Sequence, residues 1–281
     1  MCMKVLLERR EFLRQSSALF AAGVAFAPLL KAQAADILPP KPAALVTPPL
    51  PIEFRALRRN VGLFNGRGGS IGWLFSPDAL VAIDSEYPEA AALFLSGLPG
   101  RNGRYVDVLI NTHHHPDHVG GNSVFRPVTQ RIVAQELVPA LQLAQSKDRG
   151  TANYQIYADS TFQNEWRFDA GDEVVRVKYV GYAAHTGSDS IVYFEKANVV
   201  HVADLVFNRQ YPMTDRPGGC SIQGWIKALE EVAKTYPADA IYIFGHARKG
   251  YEVTGTRADV LAQRDYQIGR ASCRERVLWQ V

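Results

Sequence analysis

Residues 113–118 read His113, His114, His115, Pro116, Asp117, His118, and they follow closely on the apolar run 106–110, V-D-V-L-I. His113, His115, Asp117 and His118 form the pattern H-x-H-x-D-H, so four side chains able to ligate a metal stand within six residues. A short apolar run that stops at such a cluster reads as a buried strand delivering ligands from its end.

Further donors follow in order along the chain, each after another strand-like run. His185 stands in A-A-H-T-G-S-D-S, a loop after the alternating segment 173–180; Asp204 ends N-V-V-H-V-A-D; His246 ends A-I-Y-I-F-G-H. Taken singly, a histidine like His185 is more often a core or surface residue, and an aspartate like Asp204 a turn residue or cap. Their joint order after the H-x-H-x-D-H loop shifts the reading to one metal centre. His201 is set aside: it lies an odd number of residues from Asp204, so on a strand of period two it faces the other way. An extended loop would likewise turn His114 away from its neighbours, and His114→Ala is expected to be nearly silent.

This ordered set resembles the metallo-β-lactamase superfamily, and the resemblance covers residues 54–266. It implies an α/β fold of four layers, an αββα sandwich, with the metals along one edge at the strand ends. It also implies that His113, His115 and His185 hold one metal, that Asp117, His118 and His246 hold the other, and that Asp204 bridges them. Two Zn2+ are the expected cofactors, and iron or manganese suits the same donors. Imidazole is a good ligand for zinc and iron, and a bridging carboxylate offsets part of the repulsion between two cations. A water shared by two metals has its pKa lowered toward 7, so a metal-bridging hydroxide can attack without a separate strong base. Asp117 is the expected catalytic residue, binding metal and orienting that hydroxide.

The expected function is therefore a metal-dependent hydrolase cleaving an ester, lactone, thioester or amide of a small-molecule substrate. A bridging Asp resembles glyoxalase II, lactonases and phosphodiesterases of the superfamily more than its β-lactamases with a Cys ligand. Cys220, in G-G-C, does not replace it: an amphipathic helix begins at once, with Ser221 as a fair N-cap. Three other readings stay open: a β-lactamase, a mononuclear iron dioxygenase resembling the superfamily's sulfur dioxygenases, and a non-enzymatic metal-binding accessory protein.

The N-terminal segment E-R-R-E-F-L-R, residues 8–14, resembles a twin-arginine export signal. An apolar stretch at 18–30, too short to span a bilayer, and an A-x-A site at 32–34 follow it. Residues 1–34 are thus read as a signal peptide served by the twin-arginine export machinery. The processed protein is expected in the bacterial periplasm, without stable membrane insertion. The leader carries five basic and two acidic residues, a balance of +3 that equals the whole chain's formal charge of +3. The processed protein is then near neutral, which gives no electrostatic case for binding nucleic acid. Only Cys220 of the three cysteines falls in the expected domain, so no disulfide framework is available there.

Residues 35–51 contain six prolines and read as a linker. Residues 52–267 form the expected domain. Strands are predicted over 56–64, 71–75, 80–84, 106–110, 174–180, 191–194, 199–203 and 240–244, and helices over 88–96, 136–147 and 222–236. From residue 268 the composition changes, and I-G-R-A-S-C-R-E-R-V back-translates to a common sequencing-adapter oligonucleotide; residues 268–281 are read as a non-native tail. Candidates for shaping the substrate site are the turn 66–69, Trp73, Phe125, the insert 154–166, Arg209 with Tyr211, and Arg248 with Lys249.

Overall fold

Period-two alternation of apolar residues divides each central strand between two cores. In the strand Leu80–Ile83, Val81 and Ile83 point one way and Leu80 and Ala82 the other, and all four are fully buried. A strand apolar on both faces must be covered on both faces, and that requirement builds the layers.

The computed structural model describes residues 51–278. The leader over 1–34 and all but the last residue of the Pro-rich stretch 35–51 lie outside the described residues. One mixed sheet has the order β1 (Glu53–Arg58), β2 (Val61–Asn65), β3 (Ile71–Phe75), β4 (Leu80–Ile83), β5 (Val106–Asn111), β6 (Thr129–Gln135), β7 (Ser160–Phe162). The other runs β13 (Thr254–Gly255), β12 (Ile241–Ala247), β11 (Val199–Asn208), β10 (Ser190–Phe194), β9 (Glu173–Tyr179), β8 (Glu165–Ala170). Pairing is parallel from β4 through β7 and between β11 and β12, and antiparallel elsewhere.

Val61, Leu63, Val81, Ile83, Val108 and Ile110 of the first sheet meet Val175, Val177, Val192, Phe194 and Ile243 of the second in a central core. The outer face of the first sheet packs Phe64, Leu80 and Leu109 against Phe94 of helix α1 (Pro88–Gly97). The outer face of the second packs Val200, Val202 and Phe244 against Trp225, Leu229 and Val232 of a later helix (Ile222–Thr235) and Val260 of the last one (Arg257–Leu278). The result is the expected αββα sandwich.

Several boundaries differ from the sequence reading. The single strand predicted over 56–64 is a hairpin, because Arg59 takes a left-handed φ of 51° and turns the chain between β1 and β2. Pro139 does not interrupt its helix (Val138–Asp148), since it occupies the first turn, where its missing N–H costs nothing. Strands β6, β7, β8 and β13 were not foreseen; β8 carries E-W-R-F-D-A, whose charges hide an alternating edge strand. The final helix continues past Gln267 into the stretch read as a non-native tail. No helix among the described residues is long and apolar enough to cross a membrane.

The outer core of the first sheet rests on Phe94, fully buried and stacked on Phe125 at 5.7 Å, with Phe54 and Phe64 beside it. Phe94→Ala should cost about 3–5 kcal/mol in urea denaturation, the usual range for an aromatic cavity in a tight core; a loss below 1 kcal/mol would show that this layer repacks.

Candidate metal centre

The seven residues expected as ligands come from four places at one end of the sandwich. The turn after β5 carries His113 and His115 and leads into α2 (Pro116–Val119), which holds Asp117 and His118. His185 sits in the loop between β9 and β10, Asp204 lies within β11, and His246 within β12. β11 does not end at Asp204 as predicted but runs to Asn208. A bulge between His201 and Ala203, with Ala203 at a left-handed φ of 46°, sets how Asp204 leaves the strand.

Their donor atoms fall into two groups, each drawn together within 4.8 Å: His113, His115, His185 and Asp204, and Asp117, His118 and His246. In the first, His115 Nδ1 lies 3.1 Å from His113 Nε2 and 3.0 Å from His185 Nε2. In the second, His246 Nε2 is 3.1 Å from Asp117 Oδ2. Asp204 reaches both groups, with Oδ2 3.3 Å from His185 Nε2 and 3.4 Å from His246 Nε2, and Oδ1 2.9 Å from His118 Nε2.

These residues fit a pair of cations. Asp204 is buried, and neither of its oxygens nor His118 Nε2 has a hydrogen-bond partner, although Oδ1 and Nε2 are only 2.9 Å apart. Atoms that close, buried and not hydrogen-bonded are arranged to converge on something between them, and leaving them bare would cost several kcal/mol. Charge argues the same way. Burial alone would raise the Asp204 and Asp117 pKa values, but His118 and His246 hold Asp204 well below the ordinary carboxylate range and Asp117 at about 2. The imidazoles answer in kind: burial lowers them, yet Asp204 and its neighbours push His118 well up and His246 to about 9. Carboxylates that demand this much positive charge from histidines would be served equally by metal ions.

Two supporting carboxylates escaped the sequence reading. Asp84, buried at the end of β4, accepts from Thr112 N and Thr112 Oγ1, both at 2.8 Å, and meets His118 Nδ1 at 2.8 Å, which leaves His118 Nε2 free for the centre. Asp215 Oδ2 lies 2.9 Å from His115 Nε2 and 3.3 Å from His114 Nε2. Asp84 could have been found, for it closes the apolar run L-V-A-I-D much as Asp204 closes V-V-H-V-A-D. Asp215 sits in an irregular loop with no such signal.

His114 stays out of the two donor groups but is not idle. It is 1% exposed and shares Asp215 with His115, so the near-silent substitution expected from an extended loop gives way to one that disturbs a ligand's support. His201 also stays out; its ring packs against Gly72 between the sheets. Cys220 precedes the helix Ile222–Thr235, which Ser221 caps by accepting from Gly224 N at 3.2 Å. The turn 66–69 does border the centre: a Cβ at Gly69 would collide with the His118 ring. Trp73 and Phe125 belong to the outer core of the first sheet. Arg209, Tyr211 and Arg248 line a separate cavity of about 300 Å3 whose wall includes Phe207, and the Phe207 ring stacks on His246 at 5.1 Å.

Residues 65–246 match the family model described as the metallo-beta-lactamase superfamily. The chain is 24% identical over 186 residues to a metallo-beta-lactamase type 2 of Elizabethkingia meningoseptica, covering 65% of this chain and 71% of that one. It is 24% identical over 203 residues to a hydroxyacylglutathione hydrolase of Prochlorococcus marinus (strain MIT 9301), covering 69% and 71%. Among solved structures, a metallo-beta-lactamase from Pontibacter korlensis superposes with a TM-score of 0.64 at 18% identity, covering 77% of this chain and 99% of that one. DIM-1 metallo-beta-lactamase gives 0.63 at 16%, covering 79% and 99%. The chain belongs to the metallo-beta-lactamase superfamily, whose members are metal-dependent.

Asp204→Ala should abolish binding of the second equivalent of metal, read by elemental analysis of the purified protein; unchanged metal content would remove Asp204 from the centre. Asp215→Asn should leave the fold intact and weaken zinc affinity about 10–100-fold, the usual effect of losing a carboxylate behind a ligating imidazole. A buried neighbour gives a pH-dependent prediction. Burial pushes the Glu86 carboxyl from 4.5 up to about 8, against the lowering pull of the Gly66 and Arg67 backbone N–H groups. The unfolded chain loses this proton near pH 4.5 and the folded chain keeps it to about 8, so its contribution to stability is complete below 4.5 and is lost as pH rises through 8. Glu86→Gln should therefore gain on the native protein across that window in urea denaturation, and a gap that stays constant with pH would contradict the assignment.

Proposed function

We propose that this protein is a metal-dependent hydrolase that cleaves an ester, lactone, thioester or amide bond of a small molecule, with His113, His115 and His185 on one metal, Asp117, His118 and His246 on the second, and Asp204 between them. One observation carries the reading: two convergent donor groups sharing one buried carboxylate whose oxygens have no other partner. The names of the two relatives, a metallo-beta-lactamase and a hydroxyacylglutathione hydrolase, support trying carbonyl substrates of both kinds.

Cations held by these residues would lower the pKa of bound water and polarise the substrate's carbonyl. The protein's own groups do the rest. Asp117 keeps a side chain 15% exposed beside His246 at 17%, while the other five donor residues are closed off, so substrate approaches from this side. The Asp117 carboxylate, whose pKa His118 and His246 hold at about 2, would accept a hydrogen bond from the attacking water and fix its direction toward the carbonyl. Asp84 and Asp215 hold His118 and His115 in single orientations, so the cage is set before substrate arrives. Zinc is the proposed metal, from the three-imidazole set of the first group, and the twin-arginine leader read in the sequence supports a periplasmic setting.

A panel of phenyl ester, lactone, thioester, phosphodiester and β-lactam substrates, run on protein of known metal content, tests this. Hydrolysis of at least one carbonyl substrate should be lost on chelation and restored by zinc, and Asp117→Asn should lower kcat at least about 100-fold. Turnover that survives chelation would refute the metal-dependent reading. One iron per chain with oxygen uptake and no hydrolysis would replace it with an oxidative one.

A further inference from the structure

Two neighbouring strand ends carry like charges. Asn208 and Ala247 are the last residues paired between the parallel strands β11 and β12, and Arg248 N donates to Asn208 O at 2.9 Å. Adjacent strands lie about 4.8 Å apart, so the next residue of each, Arg209 and Arg248, starts beside the other. Arg209 turns there at a left-handed φ of 56°. Both arginines are exposed, and both line the cavity of about 300 Å3 between these strand ends and the last helix (Arg257–Leu278).

Guanidinium groups set side by side repel each other, and among the described residues neither forms an ion pair or a side-chain hydrogen bond. The one carboxylate in the cavity wall, Asp259, is engaged elsewhere: its Oδ2 accepts from Thr256 N at 2.9 Å and from Thr256 Oγ1 at 3.1 Å, at the start of the last helix. Arginine stays charged in proteins, so the positive pair does not depend on pH. The wall is also aromatic. Tyr211 and Tyr266 are both exposed, with ring centroids 6.1 Å apart. Phe207 belongs to the same wall, and its ring stacks on His246 at 5.1 Å, whereas none of the seven metal donors lines the cavity.

We propose that this cavity binds a small aromatic carboxylate, with the carboxyl group held between Arg209 and Arg248 and the ring against Tyr211 and Tyr266. A planar carboxylate matches the guanidinium fork, and it replaces repulsion between the arginines with charge-assisted hydrogen bonds to both. The ligand's ring covers tyrosine surface that otherwise faces water. A volume of about 300 Å3 falls at the small end of ligand pockets, which suits a single substituted ring. The site stands apart from the metal cage, with Phe207 between the cavity and His246, so binding here rests on neither the metal nor the hydrolytic reading above.

Sodium benzoate and benzamide test this directly, because they share a ring and differ in the charge of the group it carries. Isothermal titration of the metal-loaded full chain should show benzoate binding at least about tenfold more tightly. Arg209→Gln and Arg248→Gln should each weaken benzoate severalfold, and the double variant should remove the preference over benzamide. Ala262→Trp fills the cavity from an exposed position on the last helix and changes no charge; it should abolish benzoate binding with metal content unchanged. Equal affinity for the two ligands, or absence of benzoate binding by the native protein, would overturn the proposal. So would benzoate binding that persists in both the double variant and Ala262→Trp, a result that would put the carboxylate on the metals instead. Titration needs no turnover, so a chain inert toward the whole substrate panel still tests the site, and an active hydrolase can fail it.

Discussion

A buried carboxylate whose two oxygens accept no hydrogen bond is tolerable only beside positive charge, and Asp204 is that carboxylate. Everything at this end of the sandwich is arranged around the requirement. Imidazoles approach Asp204 from the turn after β5, from the loop before β10 and from β12, and two further carboxylates, Asp84 and Asp215, hold those imidazoles from behind. The layered fold supplies the rigidity: β5 leads into the turn that carries His113 and His115, and the parallel pair β11 and β12 carries Asp204 and His246.

The backbone shows where this placement is costly. Asp84, Glu86 and Ala203 all take left-handed φ values, 64°, 50° and 46°, which no β-carbon-bearing residue adopts without strain of about 1 kcal/mol or more. Each stands where a strand of the metal end must change direction to present a carboxylate. The glycines beside them are there for space: Gly245 leaves room for Asp204, and Gly69 for His118.

Much of this was legible in the sequence, and the reasons for what was not are physical. The seven donors could be read because metal ligation restricts residue types, and because each donor ends or follows an apolar run whose period marks a strand. The amphipathic helix Ile222–Thr235 and the buried strand β5 were legible for the same reason. Edge strand β8 was not, since a strand with one solvated face can carry Glu165, Arg167 and Asp169 and lose the apolar signature. Asp215 and the burial of His114 were also out of reach. Both depend on a loop of residues 209–221 folding back over the metal loop, a tertiary contact that no local pattern encodes. His201 lies outside both donor groups, but parity does not explain it, because the strand carries a bulge between His201 and Ala203, where counting by twos no longer holds.

Four of the donors belong to the first half of the chain and three to the second, and the halves also meet at this end through Ser70 N to Gly245 O at 3.0 Å and Ser190 N to Thr112 O at 2.9 Å. Ions caged here would clasp the two sheets like a rivet. Occupancy and folding then become one linked equilibrium, in which free metal concentration sets how long the chain resists unfolding and proteolysis. Scarcity of such an ion would lower the amount of folded protein.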